Sequence, residues 1–199
     1  MDARLAALLD KQEIEEVVLR YCRGIDRRDF DRVRDCYHAD ALDHHGSFSG
    51  TVDEFLEWVE RLTGRYDWTM HLVGNVLIEL GSPATSSPIG NGAATQAAVC
   101  ETYGVSLHRG DPTKPHLNLA TGFRYLDRFE RRGASGWKIA ERTAIGEWSM
   151  RVPPEIYWEI PPEHLHGRRN AGDLVYSMLA GLSAAPTRDG GQQGPGAND

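Results

Sequence analysis

The sequence predicts an α+β domain in which a sheet of long antiparallel strands curls over a cluster of N-terminal helices. Apolar residues recur at helical spacing as far as Tyr66 and alternate with a period of two after it. The alternating segments are long and rich in β-branched and aromatic residues. Helices that precede long strands, instead of alternating with them, are typical of a sheet with its helices on one side.

Three helices are predicted ahead of the sheet. The first runs over Lys11–Ile25 with Asp10 as its N-cap, and the second runs over Asp29–Tyr37. The third begins after Thr51, an expected N-cap with acidic residues in the turn that follows. Asp26 lies at the close of the first helix, on the flank of its apolar stripe, so its carboxylate is expected to face inward.

Four long strands follow, predicted over residues 68–80, 97–109, 117–131 and 137–150. Residues 39–49, before the third helix, are expected to form a loop and one short strand. The connection 81–96 is rich in Gly, Pro, Ser and Ala and longer than a hairpin needs, so we expect a mobile insertion there.

The length of 199 residues, of which 40% are hydrophobic and 26% charged, suits one domain with a sizeable core. We expect this domain to occupy residues 1–160 and a docking C-terminal extension to occupy residues 161–182. Residues 183–199 contain no core-forming side chains and are expected to be disordered.

Composition also limits the partners. A formal net charge of −7 leaves no basic surplus for nucleic acid, and no segment approaches the ~18 apolar residues of a membrane span. The three cysteines are widely spaced in apolar-periodic segments, as is usual for buried thiols in a reducing compartment. We therefore expect a cytoplasmic protein that binds neither nucleic acid nor membrane.

The first long strand has two different faces. Its apolar parity carries Met70, Leu72, Val76, Ile78 and Leu80, and the other parity carries His71, Val73, Asn75 and Leu77. We predict that His71 lies at the wall of an apolar pocket. The apolar parity would then face outward and require cover, which predicts a homo-oligomer.

A metal site is the alternative that the ligand-rich segment 38–45 suggests. It contains His38, Asp40, Asp43, His44 and His45. Their spacing matches no zinc or facial-triad signature, and adjacent residues of a strand point to opposite faces. We therefore predict no metal site, and the sequence also lacks a phosphate-binding loop and a serine nucleophile elbow.

Six motifs together resemble the SnoaL-like branch of the nuclear transport factor 2-like superfamily, over about residues 5–150. They are Tyr21–Phe30, Cys36–Ala41, Phe48–Gly50, Met70–Asn75, Arg124–Arg131 and Trp137–Ile139. The resemblance implies a cone-shaped α+β fold, in which a curved sheet, mixed or antiparallel, wraps around the N-terminal helical cluster. It leaves the function open among dehydratases, isomerases, cyclases, epoxide hydrolases and non-enzymes, because one fold hosts many activities.

Within that branch the motifs are most similar to those of scytalone dehydratase, hexachlorocyclohexane dehydrochlorinase and bile-acid dehydratase, which are lyases without cofactors. The resemblance implies that Asp26 and His71 form a catalytic dyad and that His108 is a second pocket histidine. His45 and Ile25 stand where scytalone dehydratase has tyrosines, which argues against scytalone as the substrate. The resemblance also suggests a homotrimer, with a homodimer as the alternative.

The predicted reaction is therefore a cofactor-free elimination from a hydrophobic cyclic or polycyclic molecule. Asp26 would orient His71, and His71 would remove a proton from carbon. Candidates for assisting the leaving group, not ranked by the sequence, are His45, His108, Tyr37, Asn75 and Arg142. The expected pocket walls are Phe48, Val73, Val105, Phe123 and Trp148.

Other interpretations fit the same residues. Asp26 could pair with Arg27 or Arg28, and His71 could be satisfied by a backbone group. An isomerase or polyketide cyclase would use the same proton abstraction, and a non-catalytic ligand-binding or assembly module would need no such pair. The separation of Asp26 and His71 and the presence of an enclosed pocket distinguish these interpretations.

Overall fold

The computed structural model describes residues 2–81 and 95–183 of the chain. In chain order its elements are α1 (Ala3–Arg27), α2 (Phe30–Asp35), β1 (Tyr37–His45), β2 (Phe48–Thr51), α3 (Val52–Thr63), β3 (Tyr66–Leu80), β4 (Thr95–Gly110), β5 (Leu119–Arg132), β6 (Lys138–Arg151) and α4 (Leu174–Ser183). Almost all of the predicted insertion 81–96 and of the predicted tail 183–199 lies outside the described residues.

The six strands form one mixed sheet in the order β2-β1-β6-β5-β4-β3. Strands β1 and β6 are parallel, and every other neighbouring pair is antiparallel. The predicted α+β class and mixed sheet are confirmed. Because α1 contacts β3 and α3 contacts β1 and β2, the helices cover one face of the sheet, which we call the inner face.

The helices bury the apolar stripes that the sequence predicts. Six residues of α1 belong to the core, namely Ile14, Val17, Val18, Tyr21, Cys22 and Ile25. The predicted N-cap Thr51 is confirmed: its hydroxyl accepts the amide of Glu54, and the Glu54 carboxylate accepts the amide of Thr51 at 2.8 Å. This capping box fixes where α3 begins.

Two predicted boundaries were wrong. Helix α1 begins at Ala3, two turns before Lys11, because Asp10 does not cap it but accepts hydrogen bonds from Arg131 and the indole of Trp137. Residues 39–49 form most of a β1–β2 hairpin that turns at Gly46, a glycine with φ +62°. Glycine adopts a positive φ at little cost because it has no side chain. The turn at Gly46 therefore ends β1 after His45.

The predicted outward parity of β3 was wrong in its second half because the strand contains a bulge. Val73 pairs with Gly104 and Val76 with Thr102, so Gly74 and Asn75 stand opposite the single residue Tyr103. An extra residue exchanges the two faces of the strand beyond it. Beyond the bulge, Val76, Ile78 and Leu80 pack into the core, whereas Leu77 is exposed.

A bidentate ion pair lies in the core. Arg142 on β6 donates to both carboxylate oxygens of Asp127 on β5, at 2.7 and 2.6 Å, and both side chains are fully buried. The guanidinium lies 4.0 Å from the ring centroid of Tyr21 and 4.1 Å from that of Tyr125. Burial alone would lower the pKa of Arg142, but the Asp127 carboxylate raises it well above its usual value.

The C-terminal extension contacts the ends of the helices. Arg169 donates to the carbonyls of Asp26, Thr63 and Tyr66, and Tyr176 of α4 donates to Asp29 at 2.8 Å. The sequence did not predict α4. No helix within residues 2–81 and 95–183 has the length and apolar character that a membrane crossing requires.

We expect Asp127→Asn to destabilise the fold by about 3 kcal/mol, because it leaves the buried Arg142 charge without its partner. Urea unfolding measures this loss. The control is Glu101→Gln, which removes a partly exposed partner of Arg124 and is expected to cost less than about 1 kcal/mol. Equal losses in the two variants would contradict a structural role for the buried pair.

Candidate functional site

A cavity of about 500 Å³ opens between the C-terminal turns of α1, helix α3 and the inner face of the sheet. Its apolar lining includes Ile25, Val59, Leu62, Phe123 and Ala144. Its polar lining includes His45, His71, Ser106, His108 and Thr121. Pockets that bind small molecules are typically apolar with a few convergent polar groups, and this cavity fits that description.

Asp26 and His71 meet at the wall of the cavity. Nδ1 of His71 lies 2.6 Å from Oδ1 of Asp26, and the backbone amide of His71 donates to Oδ2 at 3.0 Å. The side chain of Asp26 is 11% exposed and that of His71 is 8% exposed. With Nδ1 held by the carboxylate, Nε2 is the ring nitrogen left for a molecule in the cavity.

The neighbouring arginines do not compete for Asp26. Arg27 lies 3.2 Å from Asp173, and Arg28 donates to the carbonyl of Glu60 and to the hydroxyl of Thr63. The αL conformation of Arg28, with φ 53°, ends α1 directly after Asp26 and Arg27. The alternative in which Asp26 serves as an ion-pair partner of Arg27 or Arg28 therefore does not hold.

A second histidine lies beside His71 in a different environment. Nδ1 of His108 is 3.2 Å from the hydroxyl of Thr69, and Nε2 is 3.1 Å from the hydroxyl of Ser106, which itself lies 2.5 Å from that of Thr121. The rings of His108 and His71 are 6.1 Å apart. Burial, together with the nearby His71, lowers the pKa of His108 to about 4, so this imidazole is neutral at pH 7.

Five of the residues predicted for the pocket line the cavity with Asp26 behind them. They are His45, His71, His108, Phe123 and Trp148. Trp148 is 45% exposed at the rim, where its indole lies across Gly122 so closely that a Cβ on Gly122 would overlap it. The structure therefore brings together five predicted residues, which come from β1, β3, β4, β5 and β6.

Three predicted residues lie in the core instead. Tyr37 is fully buried and donates to Asp43 at 2.7 Å, and Arg142 is held by Asp127. Phe48 packs against Phe55 and Trp58. Each belongs to a strand next to the cavity, but its side chain is occupied by neighbours in the core.

Three more predicted residues do not line the cavity. Asn75 is exposed because it lies within the bulge of β3, and Val105 pairs with Leu72 on the outer face. Val73 packs against the core and borders a separate hollow with Asn75 and Val105. The bulge, which the sequence does not show, explains the position of Asn75, whereas Val105 has the parity opposite to that of His108 on β4 and so faces away from it.

Sequence reasoning missed several polar or aromatic residues of the cavity, including Tyr66, Ser106, Thr121 and Tyr125. A signal was present for Ser106, which shares the parity of His108 on β4. Thr121 pairs with Ser106 across β4 and β5, and only the strand register shows this.

The ligand-rich segment of β1 is otherwise engaged. His38 contacts the carbonyl of Glu130 at 3.0 Å, Asp40 pairs with Arg132, and His44 contacts Ser49 at 2.7 Å. Within residues 2–81 and 95–183, no group of three or more His, Cys, Asp or Glu side chains is arranged to hold a metal ion.

A curved mixed sheet closed by helices over a cavity defines the nuclear transport factor 2-like class of α+β proteins. Residues 6–143 match the family model for the SnoaL-like domain, and the chain belongs to this family. An uncharacterized protein of Mycobacterium tuberculosis H37Rv is 25% identical over 141 residues, which cover 69% of this chain and 86% of that protein.

Solved structures share the fold at low identity. A putative scytalone dehydratase from Novosphingobium aromaticivorans DSM 12444 superposes with a TM-score of 0.59 at 15% identity, covering 80% of this chain and 97% of that one. Hexachlorocyclohexane dehydrochlorinase LinA-type3 from Novosphingobium barchaimii LL02 superposes with a TM-score of 0.54 at 16% identity, with coverages of 80% and 97%. At these identities the likeness establishes the fold alone.

The lowered pKa of His108 predicts that the stability of the fold depends on pH. A histidine whose pKa falls on folding, here from 6.5 to about 4, favours the unfolded state as the pH drops, because the unfolded chain then binds the extra proton. His108 is expected to cause no destabilisation above pH 6.5, and the destabilisation that it causes grows as the pH falls from 6.5 towards 4. Wild type is expected to lose about 2 kcal/mol more than His108→Gln between pH 7.5 and pH 5.

Urea unfolding at the two pH values measures this difference. His116→Gln, which alters an exposed histidine outside the cavity, is the control and is expected to follow wild type. If His108→Gln lost as much stability as wild type over this range, His108 would not be the buried neutral histidine described above.

Proposed function

We propose that this chain is a cofactor-independent lyase, of dehydratase or dehydrohalogenase type, acting on a hydrophobic cyclic or polycyclic small molecule. The observation that carries the proposal is the hydrogen bond between Asp26 and His71 at the wall of a largely apolar cavity. Such a pair has the chemistry of a general base: the carboxylate fixes the imidazole tautomer and stabilises the imidazolium that forms when a proton is taken.

The proposed reaction begins when Nε2 of His71 removes a proton from a carbon atom of the bound molecule. The electrons of that C–H bond form a carbon–carbon double bond, and a substituent on the adjacent carbon departs with its bonding electrons. Apolar walls favour this step, because they keep water away from the base. Phe123, whose ring lies 5.9 Å from that of His71, would form part of the surface against which the substrate packs.

The comparisons support the lyase class from a separate direction. Two of the solved structures with this fold carry the names scytalone dehydratase and hexachlorocyclohexane dehydrochlorinase. Both names describe removal of a small molecule from a larger one to leave a double bond. An isomerase or polyketide cyclase would share the proton abstraction by His71 but would release no leaving group.

We expect His71→Gln and Asp26→Asn to slow elimination by at least about 100-fold, because one variant lacks the base and the other lacks its orienting carboxylate. A suitable probe is 3-(4-nitrophenoxy)cyclohexanone, a cyclic ketone whose elimination releases coloured 4-nitrophenolate. A panel of hydroxylated and chlorinated cyclic compounds, analysed for new double bonds, extends the measurement towards the natural substrate.

The matched controls are His116→Gln and Asp40→Asn, which change an exposed histidine and an exposed aspartate that do not line the cavity. Both are expected to retain wild-type rates. If wild type, His71→Gln and Asp26→Asn were equally active, the proposed mechanism would be excluded, and binding of the panel compounds without turnover would favour a ligand-binding module.

We also propose that the protein is a homo-oligomer, a trimer or alternatively a dimer, that buries an outer apolar patch of β3, β4 and β5. The patch consists of Met70, Leu72, Leu77, Val99, Tyr103 and Leu126, which are 36–59% exposed. Large contiguous apolar surfaces are usually covered in soluble proteins. A cytoplasmic location is proposed from the three free, buried cysteines.

Leu72→Glu is expected to shift the assembly to monomer, because it places a charge at the centre of an apolar contact. Sedimentation velocity measures the change. Leu19→Glu is the control, since Leu19 is similarly exposed at 49% but lies on α1, away from the patch. A wild-type protein that sediments as a monomer would contradict the proposal.

A further inference from the structure

A second carboxylate and imidazole meet on β1, beside the same cavity. Asp43 is fully buried, and its Oδ1 lies 3.5 Å from Nδ1 of His45, whose ring lines the cavity. Both atoms are buried, and among the described residues neither has a hydrogen-bond partner. Buried polar atoms in folded proteins are almost always paired, so these two atoms are each other's natural partners.

Among the described residues, Asp43 has no cationic hydrogen-bond partner. Two carboxylates, Asp43 and Asp127, lie near one guanidinium, and Arg142 gives its bidentate contact to Asp127. Asp43 receives only the phenol of Tyr37. Burial and the nearby Asp43 raise the pKa of Tyr37 well above its usual value, so the phenol remains a donor to the Asp43 carboxylate. Nδ1 of His45 is the side-chain nitrogen that the structure places beside the remaining oxygen, Oδ1.

Aromatic contacts connect the two imidazoles of the cavity. The ring of His45 stacks on Phe55 at 5.6 Å and lies 5.9 Å from Tyr125. Tyr125 contacts Phe123 at 4.5 Å, and Phe123 contacts His71 at 5.9 Å. Both imidazoles line one cavity and contact the same pair of aromatic rings, His71 on the side of Phe123 and His45 on the side of Tyr125. With Nδ1 of His45 beside Asp43, Nε2 is the ring nitrogen left for a molecule in the cavity.

The other candidates that the sequence offered for assisting the leaving group are excluded by their contacts. His108 is neutral at pH 7 and uses both ring nitrogens on hydroxyl groups. Tyr37 and Arg142 are fully buried and bonded to Asp43 and Asp127, and Asn75 lies outside the cavity.

We propose that His45 donates the proton that the leaving group needs and that Asp43 is the positioning residue that holds its imidazolium. The inference rests on the proposed function and narrows it to a dehydratase, because a departing hydroxide requires a proton and a departing halide does not. Nε2 of His71 takes the proton from carbon, the double bond forms, the C–O bond breaks, and Nε2–H of His45 transfers its proton to the oxygen. One molecule of water leaves, and both histidines return to their starting states by proton exchange with solvent.

Two probes that yield the same product, cyclohexenone, test this assignment. 3-Hydroxycyclohexanone loses hydroxide and needs an acid, whereas 3-(4-nitrophenoxy)cyclohexanone loses a stable anion and does not. His45→Gln is expected to slow the hydroxy probe by about 100-fold and the nitrophenoxy probe by less than about 3-fold. His71→Gln is expected to slow both equally, and Asp43→Asn is expected to follow His45→Gln in direction. His44→Gln, the adjacent histidine bonded to Ser49, is the control and is expected to leave both rates unchanged.

A structural role for His45 would not separate the two probes, because loss of folded protein lowers both rates alike. Equal slowing of both probes by His45→Gln, or slowing of neither while His71→Gln is inactive, would overturn the inference and leave the proposed base intact. A wild type no faster than buffer on both probes would count against the proposed function and the inference together.

Proton NMR tests the Asp43–His45 pair without turnover. An imidazole proton shared with a buried carboxylate gives a signal far downfield of the amides. We expect two such signals, one lost in His71→Gln and the other lost in both His45→Gln and Asp43→Asn. Absence of the second signal from wild type would overturn the assignment.

Discussion

The hydrogen bond between Asp26 and His71 joins the last turn of α1 to the middle of β3, and both the cavity and the proposed chemistry depend on it. A carboxylate with 11% exposure is costly unless its oxygens are well bonded, and here one oxygen contacts the imidazole while the other accepts the backbone amide of His71. Because the second contact involves the main chain, the carboxylate fixes the position of the strand as well as the ring. Arg169 bonds the carbonyl of Asp26 and holds the same turn from the other side.

The interior of the cone is unusually polar for a core, and each polar side chain restrains another. Arg142 is enclosed by the rings of Tyr21 and Tyr125 and neutralised by Asp127, so the cavity has a rigid, charged layer beneath it. A guanidinium fixed in this way is not free to bind a ligand. This explains why the residue types of a pocket can be read from the sequence while their roles cannot: Arg142 has the chemistry of a binding residue and the surroundings of a core residue.

The parts of the site that could be predicted are those that depend on local sequence. The end of α1 and the parity of the first half of β3 are local features, and together with the motif resemblance they place Asp26 and His71 correctly. Asn75 is misplaced because of the bulge: it shares the parity of His71, and nothing in the sequence shows that an extra residue interrupts the strand there. Val105 is a different case, because its parity is opposite to that of His108 and a strict alternation along β4 already turns it away from the pocket.

The bulge in β3 also explains how one strand serves a solid core and an open cavity. Before it, the inner face carries Thr69 and His71, whose polar groups border the cavity. After it, an unbroken alternation would have turned Asn75 and Leu77 inward and left Ile78 in water. The extra residue reverses the faces, so Ile78 is 6% exposed and the core closes beneath the cavity. The strand thus pairs with β4 on both sides of the bulge, while its side chains change from lining the cavity to closing the core beneath it.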